Sequence, residues 1–326
     1  MIISKTPFRM SYVGGGSDLP SYYKKYEGAV ISSSVNKFVY VMVKPRFEKG
    51  IRLSYSKTEN VSDRTEIEHP LVRNALSLLE VDDDIEIVSA ADIPSSGTGM
   101  GSSSSFSVGL LKALSFYKGV TLTDYDVAEM ACHLEIELCG NPIGKQDQFA
   151  AAFGGFKVYK FNKDDSVSLE VVNCDQQTID KLNHETIAFY IGGARNANTI
   201  LKQQSADLNE RDKARGMTKM VDLVWKMKEE LESQSTENFG EILHENWEIK
   251  RSLSNGISNN HVDEIYTTAM DCGSTGGKLL GAGGGGFMIF HAPSEGIKKK
   301  IVNSLSKLRR IHLDIETAGS SIIYNQ

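Results

Sequence analysis

Apolar and β-branched residues alternate or run together at 39–43, 51–55, 85–88 and 157–161, and each run predicts a strand. The spacing changes to three and four at Phe106, Leu110, Leu111 and Leu114, and again at Val127, Met130, Ala131, Leu134 and Leu138. These stripes predict helices over 103–117 and 124–138. Strands alternating with helices predict a mixed α+β or α/β layer for the first half.

Past Cys174 helices dominate. Residues 187–191 read as a strand, then helical signals fill 196–232 and 237–253. Met217, Met220, Val224, Met227 and Leu231 form one apolar stripe, and packing into a core is the commoner use of such a stripe than contact with a cofactor. A short helix near 261–270, a strand over 287–291, a helix over 294–308 and a strand near 321–324 complete the chain. The change of pattern predicts domains at 1–175 and 176–326, and no internal repeat is visible.

Composition narrows the class. The 326 residues are 40% hydrophobic, enough for two cores, and 36 Lys and Arg against 42 Asp and Glu leave a net charge of -6. That balance speaks against nucleic acid or a membrane surface as a partner, though not against a small anion held locally. The four cysteines form no CxxC pair, so reduced thiols are expected rather than a zinc site or disulfides. The N-terminal MIISKTPFRM lacks an apolar signal core and no run of eighteen apolar residues occurs, so a soluble, cytoplasmic protein is expected.

The stretch DIPSSGTGMGSSSSF, 92–106, joins a predicted strand directly to a helix of the same layer, which favours a binding loop over a linker. Gly97, Gly99 and Gly101 let backbone N–H groups turn toward one point, and the helix N-terminus adds partial positive charge, an arrangement suited to phosphate. Ser102 to Ser105 could cap the helix, donate to phosphate or ligate magnesium. No lysine follows as in the G-x-x-x-x-G-K-S/T loop, and a serine, Ser102, stands where a dinucleotide fingerprint needs its third glycine. A second cluster, GAGGGGF at 281–287, runs into a strand and not a helix, so close backbone approach to another loop or to substrate is its better reading. In KTPFRMSYVGGGSDLP, Arg9 could orient phosphate and Asp18, after a glycine turn, could accept from sugar hydroxyls. In HLEIELCGNPIGKQDQF, Glu135 or Glu137 could hold a metal and Asp147 could take a proton.

Together and in this order these segments resemble the GHMP kinase superfamily, from Pro7 to Gly286. Pro7 and Arg9 followed by Gly14 and Asp18 match its first motif; Pro94 through Gly99, Met100, Gly101, Ser102 and Ser103 match its second; Lys278 through Gly281 to Gly286 match its third. The resemblance implies an α+β GHMP kinase fold, with an N-terminal domain like domain 2 of ribosomal protein S5 and a C-terminal ferredoxin-like domain. It implies ATP and Mg2+ as cofactors, with Gly97, Thr98, Gly99, Met100, Gly101, Ser102, Ser103 and Ser104 around the phosphates. Ser103 and Glu135 would hold the metal, Glu135 being preferred to Glu137 because its twelve-residue distance from Asp147 is similar to the galactokinase spacing. Asp147 and Arg9 would be catalytic, and Asp18, Gly16, Ser17, Gly283 and Gly284 would meet the substrate; an acceptor carrying a 7-phosphate would need a second basic site, for which Arg195 and Lys202, where a helix opens in the second domain, are the candidates.

Within the superfamily the segments are most similar to sugar 1-kinases, in particular those acting on D-glycero-D-manno-heptose 7-phosphate, and fucokinase-type domains share much of the pattern. Gly15 and Gly16 stand where galactokinases carry Glu-His, and the gap from Asn141-Pro142 to Asp147 is one residue longer than in mevalonate-type enzymes, so galactose and isoprenoid substrates are disfavoured. The implied partner is a small sugar phosphate, with a homodimer as the open assembly state and an ATP- and sugar-binding sensor as the non-catalytic alternative.

Overall fold

Two long strands organise the first half of the protein in this computed structural model, which describes residues 1–81, 84–94, 97–193, 197–207 and 210–326. They are β1 (Ile2–Val13) and, after the short helix α1 (Pro20–Tyr26), β2 (Gly28–Pro45). Next come β3 (Ile51–Ser54), β4 (Thr58–Val61), α2 (Pro70–Leu78), β5 (Ile85–Ala91) and α3 (Ser102–Tyr117). Helix α4 (Asp124–Cys132) runs into a π-helical turn at His133–Leu138, followed by α5 (Gln146–Phe153), β6 (Phe156–Phe161) and β7 (Val167–Val171). The second half contains α6 (Gln176–Glu185), β8 (Thr186–Gly192), α7 (Ala197–Asp207), α8 (Arg211–Glu232), α9 (Phe239–Leu253) and α10 (Asn260–Asp271). It ends with β9 (Gly276–Leu279), β10 (Gly286–His291), α11 (Glu295–Ser304), β11 (Arg309–Ile311), β12 (Ile315–Glu316) and β13 (Ser321–Asn325).

The first sheet follows the order β13-β1-β2-β5-β3-β4, with β12 and β6 also pairing with β2 and β7 with β6. The second has the order β11-β8-β10-β9 and is antiparallel throughout. The predicted mixed α+β class is what the structure shows. The single helical span expected over 196–232 is two helices, α7 and α8. The division at residue 175 remains our proposal for the two lobes, with the addition that β12 and β13 return to pair with β2 and β1.

From Pro7 to Val13, β1 is buried on both faces, as is β2 from Gly28 to Val35. Helix α3 covers one side and α8 packs against both strands. Strands covered on both sides lose the alternation that marks a half-exposed strand. Several of the polar side chains they carry are hydrogen-bonded: Ser4 Oγ donates to Gly109 O at 2.7 Å, Ser34 Oγ to Ala150 O at 3.1 Å, and the Tyr12 and Ser33 hydroxyls meet at 2.9 Å. The methionine stripe of α8 is buried, as packing predicts. Its Met217 and Met220 ends face the core around β8 and β10, while Val224, Met227 and Leu231 join the core of the first sheet.

Two contacts lock the second sheet onto the first. Lys278 on β9 is fully buried, and its Nζ donates to the carbonyls of Ser11 and Tyr12 on β1 at 2.6 and 2.8 Å. The loop between β9 and β10 crosses the glycine loop ahead of α3 so closely that a Cβ on Gly281, where φ is +74°, would lie 2.5 Å from Gly99 Cα. Gly281→Ala therefore combines a left-handed backbone with a backbone overlap, and it should destabilise the protein by more than about 1 kcal/mol. A fall in thermal midpoint together with weaker nucleotide binding is the expected result.

Candidate active site

Pro7 sits inside β1, and the pairing with β2 slips immediately after it, between Pro7 and Phe8. A proline cannot donate to a ladder, so an irregularity there is expected. The shifted strand puts Arg9 against the loop before α3, where Arg9 N donates to Met100 O at 3.1 Å and Ser105 Oγ donates to Pro7 O at 2.9 Å.

Arg9 is buried and paired. Its Nε and one terminal nitrogen donate to the two carboxylate oxygens of Asp147 at 2.7 and 2.6 Å, and the other terminal nitrogen donates to Gly99 O at 2.6 Å. This two-point fork fixes the plane of the Asp147 carboxylate at the start of α5. Asp147 remains partly exposed and opens onto a cleft of about 440 Å³.

One wall of the cleft is the glycine loop. Gly97, Gly99 and Gly101 all have positive φ, from 69° to 75°. Gly101 is the N-cap of α3, and no side chain caps the helix, contrary to the expected serine cap. The serines are engaged elsewhere: Ser102 Oγ pairs with Thr98 Oγ1 at 2.8 Å, and Ser103 Oγ donates to Glu135 Oε1. A first turn without a side-chain cap faces the cleft at Gly101 to Ser104, an arrangement whose N–H groups and dipole suit an anion. Met100 differs from its neighbours, since its side chain lies in the core and it shapes the loop only through its backbone.

Glu135 sits on the π-helical turn after α4, fully buried behind Ser103, with its second oxygen accepting from Gln148 Nε2 at 2.7 Å. Burial pushes its pKa up, opposed by the hydrogen bonds from Ser103, Ser104 and Gln148. Glu137 is exposed and meets His133 instead. Ser103 and Glu135 are oxygen donors and suit a hard cation. No cluster of three His, Cys, Asp or Glu able to hold a metal occurs among the described residues. A magnesium ion would therefore arrive largely on nucleotide phosphates rather than in an all-protein cage.

The opposite wall presents Asp18. It is buried, and it accepts from Gly16 N, Gln146 N and Gln146 Nε2 at 3.0 to 3.2 Å. Gly144 is packed so tightly on it that any Cβ would overlap the carboxylate. Near Asp18 the cleft wall includes Ser11, Gln146, Gln204 and Lys250. Ser11 Oγ, Gln146 Oε1 and Gln204 Nε2 are buried polar atoms with no partner among the described residues. Such atoms are costly unless a ligand pairs with them, which suits a polyhydroxylated guest.

Arg9, Asp18, Gly16, Asp147, Gly97, Thr98, Gly99, Gly101 and Ser102 to Ser104 thus line one cleft. Ser17 does not join them: its hydroxyl donates to Ala29 O and accepts from Ala29 N. Gly283 and Gly284 also lie elsewhere, against the backbone of Ile257, and Gly281 and Ala282 supply that side of the cleft. Arg195 lies outside the described residues. Lys202 is exposed, and α7 contributes Asn198, Leu201 and Gln204 instead.

The family models of the GHMP kinases N terminal domain and the GHMP kinases C terminal match residues 70–155 and 227–309, together more than half of the chain. The chain belongs to the GHMP kinases. It is an ATP-dependent kinase with that family's fold. It is 28% identical over 301 residues to a D-glycero-alpha-D-manno-heptose 7-phosphate kinase of Campylobacter jejuni, covering 89% of this chain and 88% of the relative. It is 24% identical to the bifunctional fucokinase/GDP-fucose pyrophosphorylase of Arabidopsis thaliana, over 88% of this chain but 29% of that protein. Among solved structures, a D-glycero-D-manno-heptose 1-phosphate kinase from Bacteriodes thetaiotaomicron superposes with a TM-score of 0.81 at 22% identity, over the whole of both chains.

Burial raises the pKa of Asp18, and the charge of Asp147 adds to the rise. A carboxyl whose folded pKa lies above its unfolded value adds stability that is full below the unfolded value, about 3.9, and lost as pH rises through the folded one. The stability of Asp18→Asn relative to wild type should therefore improve between about pH 4 and pH 7, read by urea unfolding at both. A flat difference would mean that Asp18 is not strained by its burial.

Proposed function

We propose that the protein transfers the γ-phosphoryl group of ATP to the anomeric C1 hydroxyl of a sugar, D-glycero-D-manno-heptose 7-phosphate. Homologues support a sugar kinase of the GHMP family. The finer substrate rests on the nearly full-length likeness to the Campylobacter jejuni enzyme, and the structure described as a heptose 1-phosphate kinase is too distant in sequence to bear on the acceptor. The observation that carries the reaction is the placement of the Arg9–Asp147 fork between the glycine loop and the buried polar wall of Asp18, Gln146 and Gln204.

In this reading the nucleotide phosphates lie along Gly97 to Ser104, against the first turn of α3. The acceptor hydroxyl oxygen attacks the γ-phosphorus and the bond to the β,γ-bridging oxygen breaks. ADP leaves with the electron pair, and the acceptor proton passes to Asp147. Arg9 keeps both oxygens of Asp147 in place and sets positive charge beside the transfer point. Ser103 and Glu135 would hold a magnesium ion whose chemistry is to neutralise charge on the phosphates. Proton acceptance supplies about 10²–10⁴-fold, so positioning and electrostatics supply the rest.

The deciding experiment is an ADP-release panel of heptose 7-phosphate, unphosphorylated heptose, L-fucose and galactose, with the product mapped by phosphorus NMR. Heptose 7-phosphate should give the highest kcat/KM and an anomeric phosphate; preference for L-fucose would overturn the substrate. Asp147→Asn should fold and bind ATP while losing about 10²–10⁴-fold in turnover. A variant that kept its turnover would remove Asp147 from the proton transfer, and a wild type that bound ATP and sugar without releasing ADP would be a sensor.

A further inference from the structure

Lys250, on α9, is a buried cation that the reaction described so far does not use. It is 4% exposed, yet it lines the active cleft, and its Nζ donates to Gly281 O at 2.7 Å. No carboxylate lies within ion-pair distance of it among the described residues, whereas Arg9 is paired with Asp147. The two cations are anchored alike. Arg9 holds Gly99 O, Lys250 holds Gly281 O, and Gly99 and Gly281 are the residues at which the two glycine loops touch. Arg9 and Lys250 therefore converge on one junction, between the phosphate loop and the acceptor wall. A buried ammonium with one carbonyl for three donors is expensive to keep, and an anion arriving at that point would complete it.

We infer that Lys250 is a catalytic residue of the phosphoryl transfer, its ammonium donating to the non-bridging oxygens of the group in flight from the side opposite Arg9. The inference rests on the reading of Asp147 and Arg9 as the reaction centre and adds a residue from the second lobe to it. Lys250 keeps its proton throughout: the acceptor oxygen gains the phosphorus, the bridging oxygen leaves with ADP, and the acceptor proton goes to Asp147. Because α9 belongs to the second lobe and Arg9 to the first sheet, the cation pair exists only when both lobes are in place.

The charged groups facing Lys250 are Arg9 on β1, Asp18 after β1, Asp147 on α5 and Lys278 on β9. Burial, then Arg9, brings its pKa down to about 8, against the opposing pull of Asp18 and Asp147. The free enzyme therefore carries the required charge below about pH 8 and loses it above, and kcat/KM, which reports free-enzyme groups, should fall over that alkaline range.

Lys250→Met and Lys250→Arg test this, assayed with whichever sugar the acceptor panel identifies, so that failure of heptose 7-phosphate as substrate overturns that reading and leaves this test standing. Lys250→Met should lower kcat by about 10²-fold or more while KM for ATP and sugar stays near wild type. Lys250→Arg, whose charge does not titrate, should recover part of kcat and move the alkaline limb out of range. Two results would overturn the proposal. One is a rise in KM for a phosphorylated acceptor alone with kcat retained, which would make Lys250 a ligand of the acceptor's own phosphate. The other is a loss of kcat and thermal stability in both variants with the alkaline limb unchanged, the mark of a brace for Gly281. If Lys250→Met does not fold, the pH profile of Lys250→Arg decides alone.

Discussion

The structure turns on the place where two loops from different sheets touch with no side chain between them. At Gly99 and Gly281 the backbones come within the reach of a single methyl group. Any Cβ on Gly281 would push the β9–β10 loop away from the loop before α3, and with it the second sheet from the first. Because the carbonyls of these same residues anchor Lys250 and Arg9, the contact that joins the two sheets also ties the two cations of the cleft to one point.

The electrostatics follow from that closeness. Arg9, Lys250 and Lys278 are all buried around the lobe junction, and the two lysines have lowered pKa values, burial being the largest cause. Asp18 and Glu135 are buried as well and are raised. A set of desolvated charges of both signs costs stability, and a family of phosphoryl-transfer enzymes has use for it, because a preorganised charge needs little reorganisation when the phosphoryl group moves. The π-helical turn that carries Glu135 and the slipped register after Pro7 are local departures from regular structure; the first sets Glu135 behind Ser103 and the second sets Arg9 on the cleft.

Much of this was legible beforehand. The glycine loop ahead of a helix could be read from residue types and order, whereas the pairing of Arg9 with Asp147 and the preference for Glu135 over Glu137 rest on the resemblance to the GHMP kinases, and the structure brings Arg9 and Asp147 together beside that loop and buries Glu135 behind it. Other readings failed for identifiable reasons. The serines after Gly101 look like helix caps, but Gly101 occupies the cap and the hydroxyls turn to Thr98, Glu135 and Pro7. Ser17 lies beside Asp18 in sequence and faces β2 instead. Gly283 and Gly284 belong to the right loop, but Ile257 occupies their side of it. Of β1 and β2 only 39–43 is predicted as a strand from the hydrophobic pattern, since burial on both faces removes alternation.

By itself the amino-acid sequence determined the elements that rest on local pattern: the stripes of α3, α4 and α8, the glycine turns, and the motif order that marks a GHMP kinase. Only the tertiary structure decided which groups meet. Lys250 sits in α9 among charged residues and looks like a solvated lysine, and Gln204 looks like any exposed glutamine of α7. Both are buried in the cleft because the second lobe folds back onto β1, and β12 and β13 close the first sheet from the far end of the chain. Contacts between residues more than two hundred positions apart leave no trace in local periodicity, and a cleft lined from both halves of the chain becomes visible only when they are packed together.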